Sequence, residues 1–302
     1  MTSEPVMEKG AFCISIDLEA AWGVWDKLTP QYLSKCLELE RMIVDRILSI
    51  FDRYDISATW AIVGHLLEKR GDRAAGELPA WYAPDMIEAI RAARTEQEIG
   101  SHSFAHIYFS ENTSERVQSD LAAARTIHER YGLEFTSFVF PRNMVSHLPL
   151  LARAGIRVFR GIDHGWHMAA PGRHPVARIL HLLDTMIPLA PAVVRPVMHP
   201  GGLVELPGSR LLMGRNGLRK LVRPAVLELK AKRGLRAAAR DKGVFHLWFH
   251  PTNFYYDSER QFATLETIVR EAALLRGQQR LDIVPMRSFA GDTVRARAMA
   301  AH

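Results

Sequence analysis

An α/β barrel of parallel strands is the fold class this sequence predicts, on three observations. Short β-rich runs alternate with helical patterns along most of the chain, which implies a parallel sheet. Polar residues recur just past the ends of those runs, where barrel active sites form. No G-x-G-x-x-G run or P-loop follows any of them, which disfavours an open nucleotide-binding sheet. At 302 residues the chain is expected to form one domain over 1–302.

The elements follow in order. Ala11 to Ile16 is a β-rich run ending on Asp17. Leu33, Leu37, Val44, Leu48 and Phe51 recur near helical spacing. A strand is expected over Ser57–Val63, and a helix over Pro84–Arg94 with proline suited to its start. Glu98–His102 is strand-like. Thr113–Tyr131 places Val117, Leu121, Ala124 and Ile127 on one helical face, with Ser114 as the expected cap. Ser137–Phe140 reads as a strand, His147–Ala154 as a short helix and Arg157–Ile162 as a strand. Regularity then lapses, and 164–243 is expected to be an irregular insertion containing a basic helical segment. The pattern resumes with the strand Val244–Phe249, a helix over Ser258–Arg276 and the strand Leu281–Val284.

Composition narrows the class. With 48% hydrophobic and 24% charged residues, the chain is ordinary globular protein and not a disordered one. Cys13 and Cys36 cannot build a disulfide framework or a four-thiolate zinc site, and they read as small buried hydrophobes. No run approaches the ~20 apolar residues of a membrane span. The opening MTSEPVMEKG carries acids and no apolar core, unlike a signal peptide, so the expected location is cytoplasmic, with the inner membrane face as a peripheral option. Between Ser209 and Gly243 eleven Lys and Arg residues face only Glu228 and Asp241, so this segment exceeds the whole +6 net charge. Residues 210–242 are therefore expected either to be a solvated helical face or to meet an anionic carrier lipid or membrane surface. Leu211, Leu212, Leu218, Leu221, Leu227, Leu229 and Leu235 leave an interfacial helix open.

The chemistry concentrates at strand exits. Asp17 and Glu19, two apart, share one side of an extended backbone. His102 and His106 are spaced so that two imidazoles can converge on one cation. Arg142 follows the fourth strand and can hold a neighbouring carboxylate, Asp163 closes the fifth, and His250 follows Val244–Phe249. Each signal has an ordinary structural explanation alone. Asp17, His102, Arg142, Asp163 and His250 at five strand exits are better explained by one site.

These residues resemble the polysaccharide deacetylases of the carbohydrate esterase family 4 type. Glu98-Ile-Gly-Ser-His-Ser-Phe-Ala-His106 is similar to the family's His-Ser/Thr-x-x-His metal motif, Ser15-Ile-Asp-Leu-Glu19 to its acidic first motif and Leu247-Trp-Phe-His250 to its last. The resemblance implies a distorted (β/α)7-type barrel and a divalent metal, usually zinc, with cobalt or nickel as alternatives. It implies Glu19, His102 and His106 as ligands, Asp17 as catalytic base oriented by Arg142, and His250 as general acid held by Asp163, with Trp166 nearby. Two departures stand out. Leu18 separates Asp17 from Glu19 where the family has adjacent aspartates, so base and ligand roles could exchange. Pro141-Arg142-Asn143 replaces Arg-x-Pro-aromatic, near Asn143 and Met144, where a backbone oxyanion donor is expected.

The implied reaction is removal of N-acetyl groups from an amino-sugar-containing saccharide, with a lipid- or nucleotide-linked precursor in view. Trp22, Trp25, Asn143, Trp166 and Trp248 are the expected substrate contacts, since sugar faces stack on indoles. The alternatives are an amidohydrolase of a small cyclic ureide or imide and a non-catalytic glycan-binding barrel. Nucleic acid is disfavoured as a partner.

Overall fold

The computed structural model describes residues 7–68, 78–163 and 191–290. Its strands are β1 (Gly10–Leu18), β2 (Thr59–Ile62), β3 (Glu98–Ser101), β4 (Ser137–Val139), β5 (Val158–Gly161), β6 (Val197–Met198), β7 (Val204–Pro207), β8 (Arg210–Leu211), β9 (Val244–Phe249) and β10 (Leu281–Ile283). They form one curled sheet in the order β6-β7-β5-β4-β3-β2-β1-β9-β8. Only the β6–β7 pair among them is antiparallel. β1 is central: β9 pairs along Ala11–Ile16 on one side, while β10 and β2 divide its other side. The predicted α/β barrel class is the observed one.

Around the sheet lie α1 (Pro30–Tyr54), α2 (Leu78–Trp81), α3 (Pro84–Arg91), α4 (Ser114–Arg130), α5 (Leu148–Ala154), α6 (Pro224–Asp241) and α7 (Ser258–Gly277). α1 starts at Pro30, and the Thr29 hydroxyl accepts the Tyr32 amide at 3.2 Å, satisfying one of the amides a helix start leaves free. In α4 the cap is Thr113, not Ser114. Thr113 is extended and its hydroxyl takes the Arg116 amide at 3.4 Å, whereas Ser114 is already helical.

Strand alternation sorts the core. Phe12, Ile14 and Ile16 of β1 point outward and pack with Ile43, Ile47 and Phe51 of α1, Leu235 of α6 and Leu265 and Val269 of α7. The intervening residues point into the curl. There Ala11, Cys13, Ala61, Val139, Val158, Val204 and Val244 meet Met286 and Phe289. Small side chains suit this confined interior. A third cluster under α4 and α5 joins Val117, Leu121 and Leu151 to Phe138, Phe140 and Phe159. Both cysteines are free and buried, as their sequence context implies.

Over its described part the expected insertion holds barrel strands as well as the basic helical segment, which is α6. β7 pairs with β5, and within two residues the chain becomes β8, paired with β9. This stretch bridges the open side of the curl. α6 then packs on α7 and β1, burying Leu227, Ala231, Leu235 and Ala238. Each buried leucine contributes about 1.5–3 kcal/mol to the core, so the apolar face of the basic helix is committed to the barrel and is not free for a membrane. Residues 164–190, including Trp166, lie outside the described residues. No helix among the described residues is long and apolar enough to cross a membrane.

One buried acid gives the fold a pH dependence. Glu40 of α1 is 1% exposed and accepts the Tyr255 hydroxyl. Burial pushes its pKa from 4.5 up to about 7, against the Tyr255 hydrogen bond. A carboxyl raised on folding leaves stability intact below its unfolded value and removes it as pH rises through the folded value. The loss here reaches about 3 kcal/mol. Glu40→Gln is expected to abolish most of that loss between pH 5 and pH 8.5. Urea unfolding of both proteins at the two pH values measures it, and an unchanged pH dependence would rule Glu40 out as its source.

Candidate active site

The upper half of the curl is polar. Ser15 and Asp17 of β1, Arg160 of β5, and His246 and Trp248 of β9 continue the inward-facing rows above the small apolar residues, and Glu19, His102, His106 and His250 sit in the strand exits above them. Of the five strand-exit residues read as one site, the structure brings Asp17, His102 and His250 together with Glu19 and His106, whereas Arg142 and Asp163 turn to other partners.

Glu19 is the meeting point. Its Oε1 lies 2.9 Å from His102 Nε2 and 3.1 Å from His106 Nε2. His102 Nδ1 lies 2.8 Å from the Val139 carbonyl, which can only accept, so Nδ1 carries a proton and the ring is anchored with Nε2 toward Glu19. Three electron-pair donors converging from a carboxylate and two imidazoles fit a divalent cation in both number and chemistry. The loop bearing the histidines is braced from outside: Asp120 of α4 accepts the amides of Phe104 and Ala105 at 2.8 and 2.9 Å. Ser103 and His106 take positive φ there, a strain that such bracing can hold. Gly23 is required by the other side of the site, because a β-carbon at that position would overlap the Glu19 carboxylate.

Asp17 is 2% exposed and ion-paired, but not to Arg142. Arg160 grips both of its oxygens, at 2.6 and 2.7 Å. Burial opposes ionisation of Asp17, yet Arg160, then His250 and His102, outweigh it and hold its pKa below the usual value. Arg142 instead points to the rim, meeting Asp26 at 3.1 Å and lying over the Tyr108 ring. Its backbone is left-handed (φ 55°) within the turn Pro141–Asn143, which directs the side chain away from β1. The expectation that Arg142 orients Asp17 is thereby corrected. Arg160 was missed, although an arginine inside the apolar run Val158-Phe-Arg-Gly161 was the available signal.

His250 places Nε2 3.5 Å from both Asp17 Oδ2 and Glu19 Oε1. Burial alone would lower its pKa, but Glu19 and then Asp17 push it up to about 9. In turn His250, and then His106, hold Glu19 well below the usual range against its burial. Asp163 does not hold His250. Its carboxylate accepts the Trp248 indole N–H at 2.9 and 3.0 Å, across Gly208, where a side chain would block the contact.

The remaining predicted contacts divide. Trp25 is 52% exposed. Trp22 is partly buried, stacks on His65 at 4.3 Å and donates to the Trp81 carbonyl. Trp248 is 8% exposed and lies under Arg160, 4.2 Å from ring centre to guanidinium. The Asn143 side-chain oxygen accepts from Arg160 Nη2 at 3.0 Å. The amides of Asn143 and Met144 bond to Phe140 and Pro141 within the turn, so neither faces the site as an oxyanion donor.

Comparison with known proteins bears on this geometry. Residues 38–159 match the family model for polysaccharide deacetylase, a stretch that holds His102 and His106 but neither Asp17, Glu19 nor His250. No curated protein matches the sequence. A structure described as a polysaccharide deacetylase from Mycobacterium smegmatis superposes with a TM-score of 0.67 at 19% identity, covering 98% of this chain and 93% of its own. Another so described, from Pseudomonas aeruginosa PAO1, gives 0.63 at 12% identity over 94% and 89%. The allantoinase PuuE gives 0.63 at 13% identity over 98% and 93%. At these identities the superpositions show a shared fold. The chain is thus similar to the polysaccharide deacetylase family over residues 38–159, and its barrel shares the fold of the two structures so described.

Proposed function

We propose that the protein is a metal-dependent deacetylase that removes the N-acetyl group of an amino-sugar-containing saccharide. The observation that carries this reading is the convergence of Glu19, His102 and His106 beside an Asp17 held ionised by Arg160. A divalent ion held by those three residues would supply a water of lowered pKa and polarise the acetyl carbonyl. Asp17, with both oxygens fixed, takes the proton of the attacking water. His250, beside both carboxylates, donates a proton to the departing sugar nitrogen, so acetate and a free amine leave. Trp25, exposed at the rim after β1, offers a ring face to the sugar.

Zinc, cobalt and nickel all accept this donor set. Acetate release from N-acetylated saccharides, with elemental analysis of the protein, tests the proposal. Asp17→Asn is expected to keep the ion and lose at least about a hundredfold in turnover. Unchanged turnover would refute Asp17 as base. The fold shared with an allantoinase favours a second assay, since a site that opens allantoin and spares acetamides would make the protein a ureide hydrolase. Binding of glycan without turnover would make it a recognition barrel.

For the carrier of the saccharide we infer an anionic lipid at one part of the basic segment. Buried Arg215 ties the carbonyls of Lys220 and Val222 to Asp257, at 3.3, 2.8 and 2.7 Å. The turn so fixed leaves Arg219, Lys220, Arg223 and Leu221, 69% exposed, on the strand-exit side. Arg219→Glu with Lys220→Glu is expected to lower turnover of a lipid-linked acetyl-sugar about tenfold at low salt and to spare a soluble one. Equal loss on both substrates would count against a lipid carrier.

A further inference from the structure

His246 is a fully buried histidine on the inward row of β9 that the reaction above does not use. Its surroundings determine every proton around it. Nδ1 lies 3.1 Å from the Pro207 carbonyl, which can only accept, so Nδ1 carries a hydrogen. Burial, with Arg160 nearby, lowers the ring's pKa to about 3, so the ring is neutral and Nε2 is an acceptor. Ser15 Oγ, 2.9 Å away, must then donate to Nε2. That leaves the serine's lone pairs for Arg160 Nη1, at 3.1 Å.

The guanidinium depends on this arrangement. Arg160 Nε is buried without a hydrogen-bond partner. Its orientation therefore rests on Ser15 and Asp17 at Nη1, on Asn143 and Asp17 at Nη2, and on the Trp248 ring beneath it. Were Ser15 to turn its hydrogen toward Arg160, two buried donors would face each other, leaving both Arg160 Nη1 and His246 Nε2 poorly satisfied. The seam where β7 gives way to β8 supplies Pro207, so the barrel's closure is wired to the pair formed by Arg160 and Asp17.

We propose that His246 is a positioning residue: as the Nδ1–H tautomer it turns Ser15 into an acceptor for Arg160 and thereby locks the guanidinium fork on Asp17. Its catalytic consequence rests on Asp17 being the base, but the proton arrangement does not. The test begins with nitrogen NMR of the full chain labelled at histidine and arginine. His246 is expected to show a protonated Nδ1 and a bare Nε2 from pH 5 to 8, and Arg160 separate signals for Nη1 and Nη2 because its rotation is blocked. In Ser15→Ala those two signals are expected to merge. In a turnover assay the same variant should lose about ten- to a hundredfold in kcat, keep KM within about twofold and retain the ion. A protonated Nε2 on His246 overturns the proposal even if Ser15→Ala fails to fold, as does a kcat in Ser15→Ala equal to wild type. A wild-type protein that releases no acetate would instead sink the deacetylase reading, leaving the tautomer and the Arg160 signals to decide the relay.

Discussion

Arg160→Met is expected to lower stability by about 3–5 kcal/mol and turnover by about 10²–10⁴-fold, the two largest losses from any single arginine of the site. The variant leaves the Asp17 carboxylate buried without its counter-ion. The charge must then either be tolerated in a buried site or be neutralised by a proton, and a protonated Asp17 cannot take the proton of the attacking water. Arg160→Lys keeps the charge but not the two-pronged contact, so an intermediate loss is expected. Arg142→Ala supplies the contrast. Its partner Asp26 and its own side chain are each about one-third exposed, and such pairs contribute roughly 0–1 kcal/mol. Urea denaturation and acetate release on the three variants decide the matter. A severe loss in Arg142→Ala with a mild one in Arg160→Met would return the orienting role to Arg142.

His102→Ala is expected to abolish stoichiometric metal and reduce turnover more than about a thousandfold, because the lowering of a water pKa from 15.7 toward ~7 goes with the ion. The effect exceeds that of losing an outer contact such as Asp120, since His102 faces Glu19 directly while its other nitrogen is anchored on Val139. Elemental analysis after dialysis, followed by acetate release with and without added zinc, measures both losses. Full metal content in the variant would remove His102 from the ligand set.

Strand and helix alternation was legible because burial on this sheet follows period two and the helices bury one stripe each. Phe12, Ile14 and Ile16 against Cys13, Ser15 and Asp17 record that division in nine residues of β1. Glu19, His102, His106 and His250 were legible for the same reason, being polar residues placed just past strand ends. Arg160 was harder, because a charge within a strand becomes meaningful only when β5 and β1 face each other across the curl. Asp163 misled for a related reason. Its position after β5 marks the correct rim, but only the crossing at Gly208 brings the Trp248 indole within its reach. The basic segment hid a core helix because eleven cations mask the spacing of Leu227, Ala231, Leu235 and Ala238.

The small side chains packed beneath Ser15, Arg160 and His246 give the polar half of the curl an apolar floor. In the proposed reaction, acetate formed beside Glu19 and the two imidazoles would leave from the strand-exit side, the side on which the sugar would enter. On that reading the amine product would have to leave first, and free acetate is expected to compete with incoming substrate.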